Sequence, residues 1–130
     1  MGEERLKILH EIYPSKIKKG AQRKHIEGTH EFEQKRQSMQ KDDLLNEPSK
    51  LNKNVDPQAL VDKYKGTGEI KKLPNAKYPT EIVQADKIIG QAWVKSLQKY
   101  IDTDVFRIAY SGEGTHVVPL NPGKARKELS

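Results

Sequence analysis

The strongest constraint on the fold of this chain is a pair of short apolar segments near its C-terminus, joined by a turn that contains two glycines. Residues 105–110 and 115–120 are rich in β-branched and aromatic side chains, which favour extended strands. Gly112 and Gly114 lie in the connection, and glycine adopts the positive φ angles that a tight hairpin turn requires. The sequence therefore predicts a β-hairpin over residues 105–120.

The region before this hairpin contains a helix signal and the most apolar stretch of the chain. A helix is predicted after the N-cap Asp56 and the first-turn Pro57, and the glycines within 66–68 end it. Residues 80–94 are predicted to form one or two strands, with Gly90 marking a bulge or a close approach between backbones.

The N-terminal part of the chain is more polar. Residues 3–13 have apolar side chains at near-helical spacing, which predicts a short amphipathic helix. Residues 16–26 show a loose alternation that favours a short strand and a turn, and residues 30–43 fit either an exposed helix or a mobile loop. Helices that precede a mostly antiparallel, twisted sheet indicate an α+β fold.

The composition limits the chain to one small domain. Of its 130 residues, 34% are hydrophobic and 32% are charged, so the core must be small. We expect a domain at residues 16–122, preceded by a helical lead-in at 1–15 and followed by a charged tail at 123–130. The absence of cysteine excludes disulfides, thiolate nucleophiles and cysteine-based zinc sites. No apolar run approaches the roughly 20 residues that a membrane helix needs.

The charge of the chain favours an anionic partner. The formal net charge is +6, and nucleic acid is the commonest partner of a basic domain. Five basic residues fall within nine positions and are candidates for the electrostatic footprint of RNA: Lys16, Lys18, Lys19, Arg23 and Lys24.

Two histidines near opposite ends of the chain are the strongest candidates for chemistry. His25 and His116 each stand among hydroxyl-bearing residues, glycine and β-branched residues. Histidine is the side chain whose ordinary pKa lies near neutrality, so a converging pair can act as an acid and a base. That role requires the two imidazoles to flank one phosphate at a separation of roughly 5–8 Å.

Four sequence blocks, in order along the chain, point to one family. They are Lys24-His25-Ile26-x-Gly28-Thr29, Leu60-Val61-x-Lys63-Tyr64-x-Gly66-Thr67-Gly68, the segment 81–90, and Tyr110-Ser111-x-x-Gly114-Thr115-His116-Val117-Val118-Pro119. Together they resemble the polymorphic toxin type fifty domain, the bacterial toxin 50 family. Two positions depart from its pattern: Ala109 stands where the family usually has histidine, and Glu113 stands where it usually has lysine.

The resemblance implies a C-terminal toxin domain that is secreted or delivered within a larger, or phage-borne, protein and acts in the cytoplasm of a target cell. It implies a ribonuclease with the fold shared by barnase, EndoU, the tRNase colicins and RelE. It also implies RNA as substrate, with tRNA as one candidate, and a cognate acidic immunity protein that covers the basic groove. We expect a monomer that uses no cofactor.

A ribonuclease that works without a metal uses the 2′-hydroxyl of its substrate as the nucleophile and leaves a 2′,3′-cyclic phosphate. His25 and His116 are the predicted base and acid, in an order that the sequence does not fix, and Lys24 is predicted to stabilise the developing charge. The hydroxyls predicted to bind the phosphate are those of Ser111, Tyr110 and Thr115. Thr29 is predicted to lie among the residues that contact the substrate, although capping of a loop is the simpler interpretation.

Strand alternation limits these assignments. Thr115 and His116 are adjacent on a predicted strand, so they face opposite sides unless the turn twists it. Ser111 or Tyr110 is then the better companion of His116.

Other interpretations remain open at this point. Ala109 raises the alternative of a non-catalytic RNA- or protein-binding module, and a phage structural or packaging accessory protein is a third possibility. The four histidines lack the spacing of a local metal site, so no metal is predicted. Glu81 is expected to be solvated. The aromatic residues expected in the core, rather than on a base-stacking surface, are Trp93, Tyr100 and Phe106.

Overall fold

The computed structural model describes residues 13–72 and 74–123, which form helices followed by two antiparallel sheets. The helices are α1 (Lys19–Arg23), α2 (His30–Asp42) and α3 (Pro57–Tyr64). The smaller sheet has the order β1 (Lys50–Leu51), β4 (Gly90–Val94), β5 (Lys99–Thr103), with a 3₁₀ turn at Lys95–Leu97. The larger sheet has the order β2 (Glu69–Lys71), β3 (Thr80–Gln84), β6 (Val105–Ser111), β7 (Gly114–Pro119). The predicted α+β fold is confirmed, whereas the helix expected at 3–13 lies, but for its last residue, outside the described residues, as do positions 124–130 of the expected tail.

Two helices begin at side-chain caps. The Asp56 carboxylate accepts a hydrogen bond from the Gln58 amide at the start of α3, which confirms the predicted N-cap. Thr29 caps α2 in the same way by accepting from the Phe32 amide. The sequence allowed either a helix or a loop at residues 30–43, and these residues are helical as far as Asp42. Phe32 is the buried residue of this helix. No helix in the described ranges is long and apolar enough to cross a membrane.

The prediction of a short strand and turn over residues 16–26 is wrong. Ile17 makes a single parallel bridge to Thr115, and the chain then turns into α1. The buried Gln22 fixes this helix to β7, because its amide donates to the Val117 carbonyl and accepts from the Val117 amide. The side chain of Gln22 thus takes the hydrogen bonds that a neighbouring strand would have made.

The hairpin and the apolar segment before it follow the prediction closely. The strands β6 and β7 pair with Tyr110 opposite Thr115, and Gly114 has a φ of 147° while Gly112 lies outside the positive-φ region. Residues 80–94 form two strands, β3 and β4, which belong to different sheets. The close approach predicted at Gly90 is confirmed, since a Cβ atom there would lie 2.4 Å from the Lys50 carbonyl oxygen.

Gly90→Ala is expected to lower the free energy of unfolding by about 2–3 kcal/mol, because the methyl group forces β1 away from β4. The change would be measured by urea denaturation. Gly20→Ala is the matched control: Gly20 lies within α1 with open space around it, so alanine should stabilise the protein by up to about 1 kcal/mol. Equal stabilities of the two variants would contradict the close approach.

The core lies between the larger sheet and α3. Phe106, Ile108 and Val117 on the sheet pack with Leu60 and Val61 of the helix. Phe106 is in the core as predicted, but Trp93 and Tyr100 are only half-buried, because they lie opposite each other on β4 and β5 away from this cluster.

Glu81 is also not solvated as expected. It is fully buried, and its carboxylate accepts hydrogen bonds from the Gly66 and Gly68 amides and from the Tyr110 hydroxyl. These three donors replace the water that a buried carboxylate loses.

The two faces of the β6–β7 hairpin have different roles. Ile108, Tyr110 and Thr115 face the core, and the alternating residues face the other way. His116 stands directly opposite Ala109 on that second face. The hairpin thereby presents His116 toward the segment that follows α1.

Candidate active site

The structure brings His25 and His116 together. His25 follows α1, with its amide bonded to the Gln22 carbonyl and its own carbonyl bonded to the Leu51 amide. The ring centroids of the two histidines are 6.0 Å apart and their planes differ by 10°, so the rings are stacked. This separation falls in the expected range of roughly 5–8 Å, but the stacked rings do not stand on opposite sides of a space that a phosphate could fill. Parallel rings this close leave no room for a phosphate between their faces, so a shared ligand would contact the edges of both rings.

Ser49, the residue just before β1, fixes the orientation of His25. Its Nδ1 atom lies 3.0 Å from the Ser49 carbonyl oxygen and 3.2 Å from the Ser49 hydroxyl. A carbonyl oxygen only accepts hydrogen bonds, so Nδ1 carries the hydrogen. In the neutral ring Nε2 is then the atom with the free lone pair.

Three cationic side chains act electrostatically on the pair. Lys24 adjoins His25, Lys35 lies on α2, and Arg107 lies on β6 two residues before Ala109, on the face that carries His116. The positive charges of all three act on both imidazoles. Burial, followed by the charges of Lys24 and Arg107, also lowers the pKa of Lys35. The arrangement is a partly enclosed cluster of positive charge beside two imidazoles.

Burial is the main cause of the altered acidity of both histidines. It lowers the pKa of His25 to about 4, with smaller effects from Lys35, Arg107 and Lys24, against a raising effect of the Ser49 carbonyl. It lowers the pKa of His116 to about 4 as well, and the charge on His25 adds to the effect. Both imidazoles are therefore neutral at pH 7 in the free protein.

This shift predicts that acid destabilises the fold. Between about pH 6.5 and pH 4 the unfolded chain binds more protons than the folded one, so the stability present above pH 6.5 is lost as the pH falls. The contribution of His25, which is 6% exposed, is at most on the order of 3 kcal/mol. Urea denaturation at pH 7 and pH 4.5 would measure the difference. His25→Asn keeps an N–H group for the Ser49 carbonyl but does not titrate in this range, so its free energy of unfolding should differ less between the two pH values. A difference as large as that of the wild type would contradict the assignment of this effect to His25.

Each of the predicted hydroxyls has a hydrogen-bond partner other than the two histidines. The Tyr110 hydroxyl donates to Glu81 on the core side, and burial together with that carboxylate raises the pKa of Tyr110. The buried Thr115 donates to the Ala109 carbonyl. Ser111 donates to the Gly114 carbonyl within the turn. Thr29 caps α2, and the one hydrogen of its hydroxyl is within reach of the carbonyl oxygens of Arg23 and Ile26, at 2.7 and 2.9 Å from the hydroxyl oxygen.

The five basic residues of the predicted footprint are divided among three places. Lys24 lies beside the histidines, as its effect on their pKa values indicates. Lys16, Lys19 and Arg23 line a separate cavity of about 280 Å³. Lys18 pairs with Glu113 at 2.7 Å. Only Lys24 among them adjoins the histidine pair.

Sequence reasoning missed three residues of the site: Lys35, Ser49 and Arg107. Arg107 could have been found, because strand alternation from Ala109 puts it on the face of His116. Lys35 lies in a polar helix with no distinguishing neighbour, and Ser49 acts through its backbone carbonyl, which carries no sequence signal.

Comparison with known proteins agrees with the resemblance drawn from the motifs. No curated protein matches the chain. The sequence model of the bacterial toxin 50 family matches residues 17–119, a range that contains both histidines and the cationic residues around them. Since this match extends over most of the sequence, the chain belongs to the bacterial toxin 50 family.

Proposed function

We propose that this toxin domain is a metal-independent endoribonuclease. The observation that carries the proposal is the stacked pair of His25 and His116, 6.0 Å apart within a cluster of three cations. An acid, a base and fixed positive charge are the groups that cleavage by the 2′-hydroxyl of RNA requires. Membership of a toxin family supports the same activity, since destruction of RNA kills a cell.

His25 is the proposed general base. Its Nδ1–H group points to the Ser49 carbonyl, so Nε2 is available to accept the proton of the 2′-hydroxyl. Its lowered pKa keeps it neutral, and therefore able to accept a proton, at pH 7. This hydrogen bond supports the choice of His25 as the base, an order that the sequence left open.

His116 is the proposed general acid. A bound phosphate brings negative charge beside this imidazole and raises its pKa, so that it is protonated in the complex. As the 2′-oxygen bonds to phosphorus, the bond to the 5′-oxygen breaks and that oxygen takes the proton from His116. The products are a 2′,3′-cyclic phosphate and a free 5′-hydroxyl.

Lys24, Lys35 and Arg107 are the proposed phosphate ligands. Their charges already act on the space beside both rings, where the phosphorane would carry its extra negative charge. Tyr110 and Thr115 bind their hydrogen-bond partners elsewhere, so the cations supply the stabilisation that was first expected from hydroxyls.

The toxin family also supports a proposal about how this domain is delivered and which molecules it contacts. We propose that the domain reaches a target cell as part of a larger toxin protein and acts on RNA, such as tRNA, in its cytoplasm. A cognate immunity protein with an acidic surface would neutralise the cationic cluster.

One observation favours a second candidate function. Ala109 lies directly opposite His116 across β6 and β7, at the position where family members usually carry a third histidine. A chain that needed this imidazole for chemistry would bind RNA without cutting it.

Cleavage of RNA in a chelator tests the two functions against each other. The purified protein would be incubated with total RNA and with labelled tRNA in EDTA, and the new ends analysed. Cyclic phosphate and 5′-hydroxyl ends are expected. Intact RNA that is nevertheless retained by the protein would favour the binding module, and Ala109→His would then be the next variant.

A further inference from the structure

A cavity of about 620 Å³ is lined in part by residues close in sequence to His25 and Ser49, and it plays no part in the chemistry proposed above. The segment between α2 and β1 contributes a residue both to this cavity and to the contacts of His25. Glu47 of this segment lines the cavity, and Ser49, two residues later, holds the ring of His25. On the other side, Glu27 lines the cavity two residues after His25. A ligand in the cavity would therefore contact residues that are only two positions away from His25 and from Ser49.

Two aromatic side chains form one wall of this cavity. Trp93 and Tyr100 make an edge-to-face contact with ring centroids 5.1 Å apart. Both are fixed at their polar ends, because the Trp93 indole donates to the Leu45 carbonyl and the Tyr100 hydroxyl donates to the Pro48 carbonyl. The Lys50 ammonium lies 4.3 Å from the centre of the Tyr100 ring. Trp93 is thus the better stacking surface for a flat ligand.

Three carboxylates and the Arg36 guanidinium also line the cavity. Glu47 binds Arg36 through both oxygens. Glu27 accepts from Lys50 at Oε2, and Glu33 lies 3.5 Å from Arg36 at Oε1, so each keeps a second oxygen outside these pairs. Ionised carboxylates accept hydrogen bonds and donate none. The cavity therefore suits a flat ligand whose edge carries N–H donors.

Among RNA bases, guanine fits this combination best. Its N1–H and N2–H groups stand side by side on the Watson–Crick edge, so one carboxylate can accept from both. Adenine, cytosine and uracil each place an acceptor next to a donor on that edge, which would face a carboxylate oxygen and repel it.

We infer that this cavity is a guanine-binding subsite, in which the base stacks on Trp93 and donates to Glu27 or Glu33. The inference rests on the proposed function, because it makes this domain a ribonuclease that selects a guanosine next to the cleaved phosphate. A subsite of this kind supplies the base selectivity that the phosphate-binding cations cannot.

Intrinsic fluorescence tests the subsite without relying on cleavage. Trp93 is the only tryptophan of the chain, so excitation at the tryptophan band reports on this wall alone. The wild-type protein would be titrated with the 3′-monophosphates of guanosine, adenosine, cytidine and uridine, and with inorganic phosphate. Guanosine 3′-monophosphate is expected to quench the signal with a Kd at least 10-fold below those of the other nucleotides, while inorganic phosphate leaves the emission unchanged.

Charge-neutral variants identify the carboxylates. The double variant Glu27→Gln, Glu33→Gln should reduce the preference for guanosine to less than 3-fold, because each amide puts a donor against the donors of the base. Glu69→Gln, on exposed β2, is the matched control and should keep the wild-type preference. Circular dichroism would verify that both variants are folded, and the titration of the wild-type protein tests the inference even if one is not.

The outcomes separate this inference from the proposed function. Equal binding of all four nucleotides, or binding of none, would overturn the guanine subsite even if the protein cleaves RNA. Quenching by free arginine but not by nucleotides would overturn it as well, and would assign the cavity to a basic side chain of a protein partner. Selective guanosine binding by a protein that leaves RNA intact would support the subsite and contradict the nuclease.

Discussion

Replacement of either His25 or His116 by alanine is expected to reduce RNA cleavage in EDTA by at least about 100-fold. Each variant removes one of the two proton transfers, and a positioned acid or base typically contributes a factor of this size or more. The rings are 6.0 Å apart, so neither can take over the position of the other. Initial rates on labelled tRNA would give the effect. Gln84→Ala, at the exposed end of β3, is a control expected to keep the wild-type rate.

An activated leaving group would separate the two roles. A ribonucleoside 3′-(4-nitrophenyl phosphate) releases nitrophenolate, which leaves without a proton, so loss of the general acid matters little. We expect His116→Ala to cleave this substrate within about 10-fold of the wild-type rate, whereas His25→Ala stays at least about 100-fold slower. The opposite pattern would reverse the assignment of base and acid. Full activity of both variants on RNA would contradict the mechanism.

Glu81→Gln is expected to lower the free energy of unfolding by about 3 kcal/mol or more. The carboxylate accepts from the Gly66 and Gly68 amides and from the Tyr110 hydroxyl in a fully buried position. An amide in its place turns one acceptor into a donor, which then faces another donor with no water to relieve it. Urea denaturation monitored by circular dichroism would measure the loss.

Two further variants define the origin of this effect. Tyr110→Phe removes one of the three hydrogen bonds and should cost about 1–2 kcal/mol. Glu69→Gln, an exposed glutamate on β2, should change stability by less than about 0.5 kcal/mol, although it pairs with Lys71 at 3.2 Å. A Glu81→Gln protein as stable as Glu69→Gln would show that the buried carboxylate is dispensable.

The parts of the fold that the sequence predicted well are those with strong local signals. Asp56 and Pro57 define the start of α3, and the glycine turn defines the hairpin that carries His116. Alternation along that hairpin also indicated that Thr115 and His116 could not share one face, and Thr115 indeed lies in the core. The local preferences of the residues and the spacing of the apolar side chains were sufficient to predict these elements.

The parts that the sequence did not predict depend on contacts between distant segments. Gln22 gives no strand or helix signal of its own, and its role appears only when β7 lies beside it. Glu81 was expected to be solvated, because a lone carboxylate on a strand shows nothing of the three donors that reach it from elsewhere. The convergence of the two histidines was a hypothesis from their motifs, and their orientation by the Ser49 carbonyl had no signal at all.

The hydrogen bonds of Gln22 to Val117 join residues 95 positions apart, one in the first helix described and one in the last strand. A chain made from its N-terminus contains His25 before it contains His116, because His116 lies on the last strand described. Any fragment that lacks β7 lacks His116, and it also lacks the Val117 backbone groups that bond the Gln22 side chain. The proposed catalytic pair is therefore complete only once the last strand described has joined the fold, so a chain that stops before β7 would lack the proposed general acid.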